Sequence, residues 1–192
     1  MNNIEIEIQV NIRKKRPLAS FLEKNAVFQR ESHQVDEYFS PSHKNFIETR
    51  PVKEWFRLRD SDGKYFITYK NYHYDKNGKS THCDEYETNV GDIGKLKKMW
   101  DALNFKSLVI VDKIRKTWVY KNYEISIDSV KSLGDFVEIE YIGRNGKLDP
   151  KKVTNGMMSF LKNIGCGEIK RNYVGYPFQL MFPDEIEEET QR

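Results

Sequence analysis

Five pairs of ionisable residues stand two positions apart in this 192-residue chain: Glu5 and Glu7, Arg57 and Arg59, Glu85 and Glu87, Lys113 and Arg115, Glu138 and Glu140. On a β-strand that spacing puts both members of a pair on one face. A polar face turned to water is the ordinary condition of an antiparallel sheet, but here acids and bases are sorted strand by strand instead of mixing with Thr, Ser and Gln. Such sorting fits a closed barrel whose lumen takes a highly charged anion together with a divalent cation. Arginine and lysine neutralise phosphate through charge-assisted hydrogen bonds, while carboxylates bridge Mg2+ or Mn2+ to it. Arg57, Arg59, Lys70, Lys113 and Arg115 are the candidate clamp for a triphosphate, and Glu5, Glu7, Asp128, Glu138 and Glu140 the candidate metal ligands. The chain contains neither a P-loop nor a GxGxxG stretch, so no Gly-rich loop is available for the same task.

The elements that must carry these residues can be read from periodicity. Ile4, Ile6, Ile8 and Val10 alternate with Glu5, Glu7 and Gln9, which predicts a strand with one acidic face. Leu18, Phe21 and Leu22 follow Pro17 at helical spacing, so a short helix is expected to Asn25. Further strands are expected over His33 to Phe39, Val52 to Arg59 and Tyr65 to Tyr72, the last two joined by the Asp62-Gly63 turn. A second hairpin turns at Asn77-Gly78 and returns from Cys83 to Val90. Ile93, Leu96, Met99, Trp100 and Leu103 predict an amphipathic helix. Strands resume at Leu108 to Val111, Ile114 to Tyr120, Tyr123 to Asp128 and Phe136 to Ile142, before a last helix from Pro150 to Ile164. Residues 1–183 read as one domain, and the acid-rich residues 184–192 as a frayed tail.

Composition narrows the function classes. Aromatic residues reach 13% beside 32% charged, which predicts a folded chain and not a disordered polyampholyte. Thirty-two basic against 29 acidic side chains leave a net charge of +3, so no nucleic-acid partner is expected. No apolar run approaches the ~20 residues that span a bilayer, and no signal peptide is visible, so a cytoplasmic protein away from membranes is expected. Cys83 and Cys166 lie far apart, and His33, His43, His73 and His82 adopt no zinc-ligand spacing. The basic run Arg13 to Arg16 reads as a solvated stretch.

The order of these motifs resembles the CYTH superfamily, the triphosphate tunnel metalloenzymes. Glu5-Ile-Glu-Ile-Gln9 is similar to its N-terminal E-x-E-x-K signature, and Gln34-Val-Asp-Glu-Tyr38-Phe39 to its next strand. Trp55-Phe-Arg57-Leu-Arg59, Ile67-Thr-Tyr-Lys70 and Glu85-Tyr-Glu87 continue the match. Lys113-Ile-Arg115, Tyr123 to Asp128, Leu133 to Glu140 and Asn172-Tyr173 resemble most the class IV adenylyl cyclases. The resemblance implies an α+β fold: an eight-stranded antiparallel β-barrel, or tunnel, with helices packed outside, and a dimer among relatives. It also implies metal-dependent conversion of ATP to cyclic AMP and pyrophosphate, with Lys70, Tyr38 and Lys113 as candidate catalytic residues. Two alternatives stand beside the cyclase. One is a triphosphatase acting on inorganic, thiamine or nucleoside triphosphate, in which Tyr38 and Lys70 occupy the positions of a water-activating pair. The other is a non-catalytic triphosphate-binding module. The signature lysine is Gln9 here, an amide that joins the phosphate binders without offsetting charge; Lys44 and Arg50 are the candidate stand-ins.

Overall fold

A computed structural model describes residues 4–143, 149–171 and 173–191; Asn172 of the closing motif lies outside them. Among the described residues the chain forms an eleven-stranded antiparallel sheet and four α-helices. The first half comprises β1 (Ile4–Glu5), β2 (Glu7–Ile12), α1 (Lys15–Asn25), β3 (Val27–Ser40), β4 (Glu54–Ser61), β5 (Lys64–Tyr74) and β6 (Ser80–Val90). Next come α2 (Ile93–Ala102), β7 (Lys106–Tyr120), β8 (Tyr123–Val130) and β9 (Gly134–Tyr141). The chain ends with α3 (Pro150–Ile164), β10 (Ile169–Arg171), α4 (Tyr176–Met181) and β11 (Glu189–Gln191). Strand order is β1-β6-β5-β4-β3-β7-β8-β9-β2-β10-β11. No helix among the described residues is long and apolar enough to cross a membrane.

Strands β1 and β2, far apart in that order, are joined by a single residue, Ile6. Ile4 and Glu5 pair with Asp84 and Cys83 of β6, whereas Glu7 to Val10 pair with Glu140 to Val137 of β9. Between them, the Ile6 carbonyl accepts from the Tyr141 N–H at 3.0 Å. The N-terminal segment therefore bonds to both flanks of the seven strands β6-β5-β4-β3-β7-β8-β9. The expected eight-stranded barrel is met in part: the ladder breaks at Ile6, and β10 and β11 extend the sheet beyond β2.

Alternation along these strands builds two interiors at once. Ile8, Val10, Val137 and Ile139 point outward beneath α1 and α3, where Leu18, Leu22, Met157 and Leu161 complete the main core. Their neighbours Glu7, Gln9, Glu138 and Glu140 point the other way and line a cavity. α3 begins at Asp149, whose side chain accepts from the N–H groups of Lys151 and Lys152 at 3.0 and 3.4 Å. It ends at Gly165, where a φ of 83° favours glycine. On the opposite side α2 lays Trp100 on Phe39 and Phe56.

Three sequence expectations change. The strands expected at Leu108 to Val111 and Ile114 to Tyr120 are one, because Asp112 and Lys113 remain paired with β3 across the apparent break. Charge there marks a lumen position, not a turn. α4 and β10 were absent from the periodicity, each being too short to show a period. The tail expected to fray is tied down: β11 pairs with β10, Glu185 takes Arg50 at 2.7 Å, and Glu188 takes Lys170 at 3.0 Å.

Leu161 is fully buried between α3 and the sheet. Leu161→Ala is expected to destabilise the fold by about 2–5 kcal/mol, read as a lower urea midpoint with an unchanged m-value.

Candidate active site

Two buried aspartates hold the basic side chains in place. Asp36 on β3 is 1% exposed and receives a two-pronged grip from Arg59, Nε to Oδ1 at 2.6 Å and Nη2 to Oδ2 at 2.7 Å. Arg57 reaches Asp36 Oδ2 at 3.4 Å and donates to Thr68 Oγ1 at 3.2 Å. Burial alone would raise the Asp36 carboxyl, but the two guanidiniums hold it well below the usual carboxylate range. Asp128 on β8 is fully buried and repeats the arrangement. Arg115 donates through Nε and Nη2 at 2.7 and 2.6 Å, Lys113 Nζ lies at 3.3 Å, and the Tyr176 hydroxyl donates at 2.9 Å. Burial and then the neighbouring Arg115 press the Lys113 ammonium down to about 8.

The acids gather on the other side. Lys70 Nζ contacts Glu5 Oε2 at 2.6 Å and Glu85 at 3.6 Å. Glu5 also accepts from the Cys83 thiol at 2.9 Å, and Glu7 from the Tyr72 hydroxyl at 3.2 Å. Burial and then Glu7 raise the Glu5 carboxyl; burial raises Glu7 as well; burial and Glu5 push Glu140 up to about 8. Glu138 behaves oppositely. Burial would raise it, but Arg115, whose Nη2 lies at 2.8 Å, and Lys113 hold it low.

These groups share one cavity of about 320 Å3. Around its wall, following the sheet order, bases occupy β4 and β7 on either side of β3, acids occupy β9, β2, β1 and β6, and Lys70 on β5 stands at the seam. One end is plugged: Tyr176 and Phe178 of α4 pack with Tyr38, Trp55, Val111, Val130 and Phe136. At the other end Arg30 and Glu87, with side chains 53% and 40% exposed, open to solvent.

The predicted residues Glu5, Glu7, Gln9, Tyr38, Arg57, Arg59, Lys70, Lys113, Arg115, Glu138 and Glu140 all line this cavity. Asp128 does not; both its oxygens are taken by the bases, so its place is behind the basic wall and not among metal acids. Tyr38 sits in the plug, edge-to-face with Trp55, and burial raises its hydroxyl, which makes it a poor base. Lys44 and Arg50, the expected stand-ins for the missing lysine, lie off the cavity, paired with Glu54 and Glu185. Gln9 instead accepts from Gln179 Nε2 at 2.8 Å. Sequence reasoning missed Asp36, Gln34, Tyr72 and Tyr176. Gln34 and Asp36 fall inside the Gln34 to Phe39 motif, and the first three share strand parity with predicted residues, but neither signal says anything of partners.

Glu5, Glu7, Glu138 and Glu140 suit a hard divalent cation in kind, since carboxylate oxygens are its preferred ligands, and burial followed by repulsion from neighbouring carboxylates raises Glu5 and Glu140. Among the described residues no three such side chains stand in a metal-ligating arrangement; Glu5 is turned to Lys70, Glu7 to Tyr72 and Glu138 to Arg115.

The CYTH domain profile matches residues 2–170. A curated protein of Methanocaldococcus jannaschii, "Putative adenylate cyclase MJ0240", is 34% identical over 176 residues, 89% of this chain and 97% of its own. Among solved structures, the PH1819 protein of Pyrococcus horikoshii OT3 gives a TM-score of 0.73 at 23% identity, covering 94% of this chain and 98% of that one. HpAC1 from Hippeastrum, a "putative adenylyl cyclase" with "a dominant" triphosphatase activity, gives 0.63 at 17% identity, over 94% and 95% of the two chains. At those identities the two structures speak for the fold.

Removing one partner of a buried ion pair leaves the other charge unpaired, at a cost of about 3–5 kcal/mol. Asp36→Asn is expected to lose that much stability in urea titrations at pH 7. Because the folded carboxyl is held below its ordinary 3.8, its contribution is complete above that value and is lost as pH falls further. The gap between wild type and Asp36→Asn should therefore narrow below about pH 4. Gln9→Lys is expected to tighten triphosphate binding about tenfold, or about 1.4 kcal/mol, measured by calorimetry. An unchanged affinity means that Glu138, its cross-strand partner, absorbs the new charge.

Proposed function

The chain belongs to the CYTH domain family, and on that footing we propose that it is a divalent-metal-dependent enzyme converting ATP to cyclic AMP and pyrophosphate. The observation that carries the reading is the sorted wall of the cavity: Arg57, Arg59, Lys113 and Arg115 on one side, Glu5, Glu7, Glu138 and Glu140 on the other. A triphosphate is polyanionic and acceptor-only, so it lies against the bases. The similarity to a protein named as an adenylate cyclase supports the cyclase in particular.

In this reading the ribose 3′-hydroxyl attacks the α-phosphorus, the bond to the bridging oxygen breaks and pyrophosphate leaves. Bound at Glu5, Glu7, Glu138 and Glu140, Mg2+ or Mn2+ supplies Lewis-acid activation and charge neutralisation. The chain's own side chains orient the triphosphate and stabilise charge on the leaving group. Arg59 and Arg115 arrive pre-oriented by Asp36 and Asp128, so little reorganisation is needed as that charge develops. At the far end the aromatic residues of α4 pack against Tyr38 and Trp55.

A triphosphatase is the second reading, favoured by the fold-level likeness to HpAC1. The Tyr38 and Lys70 pair gives it little support, since Tyr38 is packed into the plug and Lys70 is engaged with Glu5.

Incubating the protein with Mn2+ and ATP, tripolyphosphate or thiamine triphosphate separates the readings. Cyclic AMP without phosphate is the expected result; phosphate without cyclic AMP establishes the triphosphatase, and neither product from any substrate leaves a binding module. Glu5→Ala and Glu138→Ala are each expected to abolish turnover with little change in thermal midpoint, because Glu85 still faces Lys70 when Glu5 is gone and Asp128 still holds Arg115 when Glu138 is gone. Full turnover in either variant overturns the assignment of the acidic wall.

A further inference from the structure

At the inner face of β3, between the two basic pairs, Gln34 is 3% exposed and lines the cavity. Its neighbours across the ladder are Lys113 on β7 and Ser61 on β4. The amide Nε2 donates to Ser32 Oγ at 3.2 Å. The carbonyl Oε1 is buried with no hydrogen-bond partner among the described residues. A buried acceptor left unpaired costs free energy, so such an atom facing a ligand cavity points to a ligand that supplies the missing donor.

A triphosphate cannot be that donor. Its ionised oxygens only accept, and they lie against the bases on either side of Gln34. The donor must come from another part of the ligand. The plug of α4 blocks one end of the cavity, while Arg30 and Glu87 stand open at the other. A group attached to the triphosphate extends toward that open end, and Gln34 follows Asp36 in that direction along the inward face of β3.

We propose that Gln34 is a specificity-determining residue whose free carbonyl oxygen accepts a hydrogen bond from a hydroxyl or amino group of the organic part of a nucleoside triphosphate, favouring that ligand over inorganic triphosphate. The inference rests on the triphosphate-binding reading of the cavity. The reversed amide, with Nε2 toward the lumen, predicts no preference, because a donor there serves the phosphate that both ligands carry. The two orientations therefore differ in a measurable way.

The test is calorimetric, with Mg2+ and methylene-bridged analogues of ATP and of inorganic triphosphate, which the enzyme cannot turn over. Gln34→Leu is expected to weaken binding of the ATP analogue at least tenfold and to leave the inorganic analogue within about twofold. The ratio of the two affinities is the readout, since a merely structural role moves both together. Gln34→Met, closer in length, provides the same comparison if the leucine variant does not fold. Equal weakening of both ligands means that the amide serves phosphate or only the local structure, and either overturns the proposal. No change in either shows that the orphan oxygen has no ligand, and overturns it as well. A wild-type protein that binds neither analogue sinks the triphosphate reading itself, which is a different failure.

Discussion

Four cations placed side by side in a protein interior repel one another, and their burial is tolerated only where carboxylates hold them. Asp36 and Asp128 meet that condition here. Each is almost wholly removed from water, and each binds one arginine through two parallel hydrogen bonds and a second base more loosely. Each carboxylate carries one negative charge and serves two positive ones, so the basic wall keeps net positive charge facing the cavity. Lys113 is depressed first by its burial and then by the Arg115 charge beside it. A polyanion entering the cavity completes a balance the protein leaves open.

The facing acids show the mirror imbalance. Glu5, Glu7 and Glu140 are raised by burial and by neighbouring carboxylates, and Lys70 lies directly beside Glu5. A site with surplus positive charge on one wall and surplus negative charge on the other suits a metal-bound polyphosphate better than either ion alone. The two surpluses stay apart because the basic strands β4 and β7 flank β3, while β9, β2, β1 and β6 lie beyond them. The two halves touch where Glu138 meets Arg115 and where Arg57 reaches Glu85 and Glu87 at 3.8 and 3.6 Å.

Keeping so much charge inside a curved sheet requires the apolar core to lie elsewhere. It sits outside, beneath α1 and α3, and Ile8, Val10 and Ile12 of β2 and Val137 and Ile139 of β9 belong to it. The same strands thus face a dry core on one side and a polar cavity on the other. α4 then uses its aromatic residues to seal one end, with Tyr176 serving both as plug and as hydrogen-bond donor to Asp128.

Much of this was legible in the residues themselves. Period-two spacing placed each charged pair on one face of a strand, and the hairpin at Asp62-Gly63 and the helix from Pro150 to Ile164 follow from turn and capping chemistry that acts within a few residues. What could not be read was which strands stand side by side. Glu7 meets Glu140, and Gln9 meets Glu138, only because Ile6 marks the point where the first strand leaves β6 for β9. The same limit explains the roles of Asp36 and Asp128: as isolated letters they are simply more acids, and only pairing across β3, β4, β7 and β8 makes them anchors for cations. Alternation is a local property of the backbone and is written in the sequence. The partner of a charge is a long-range property, set by strand register, and only the folded sheet decides it.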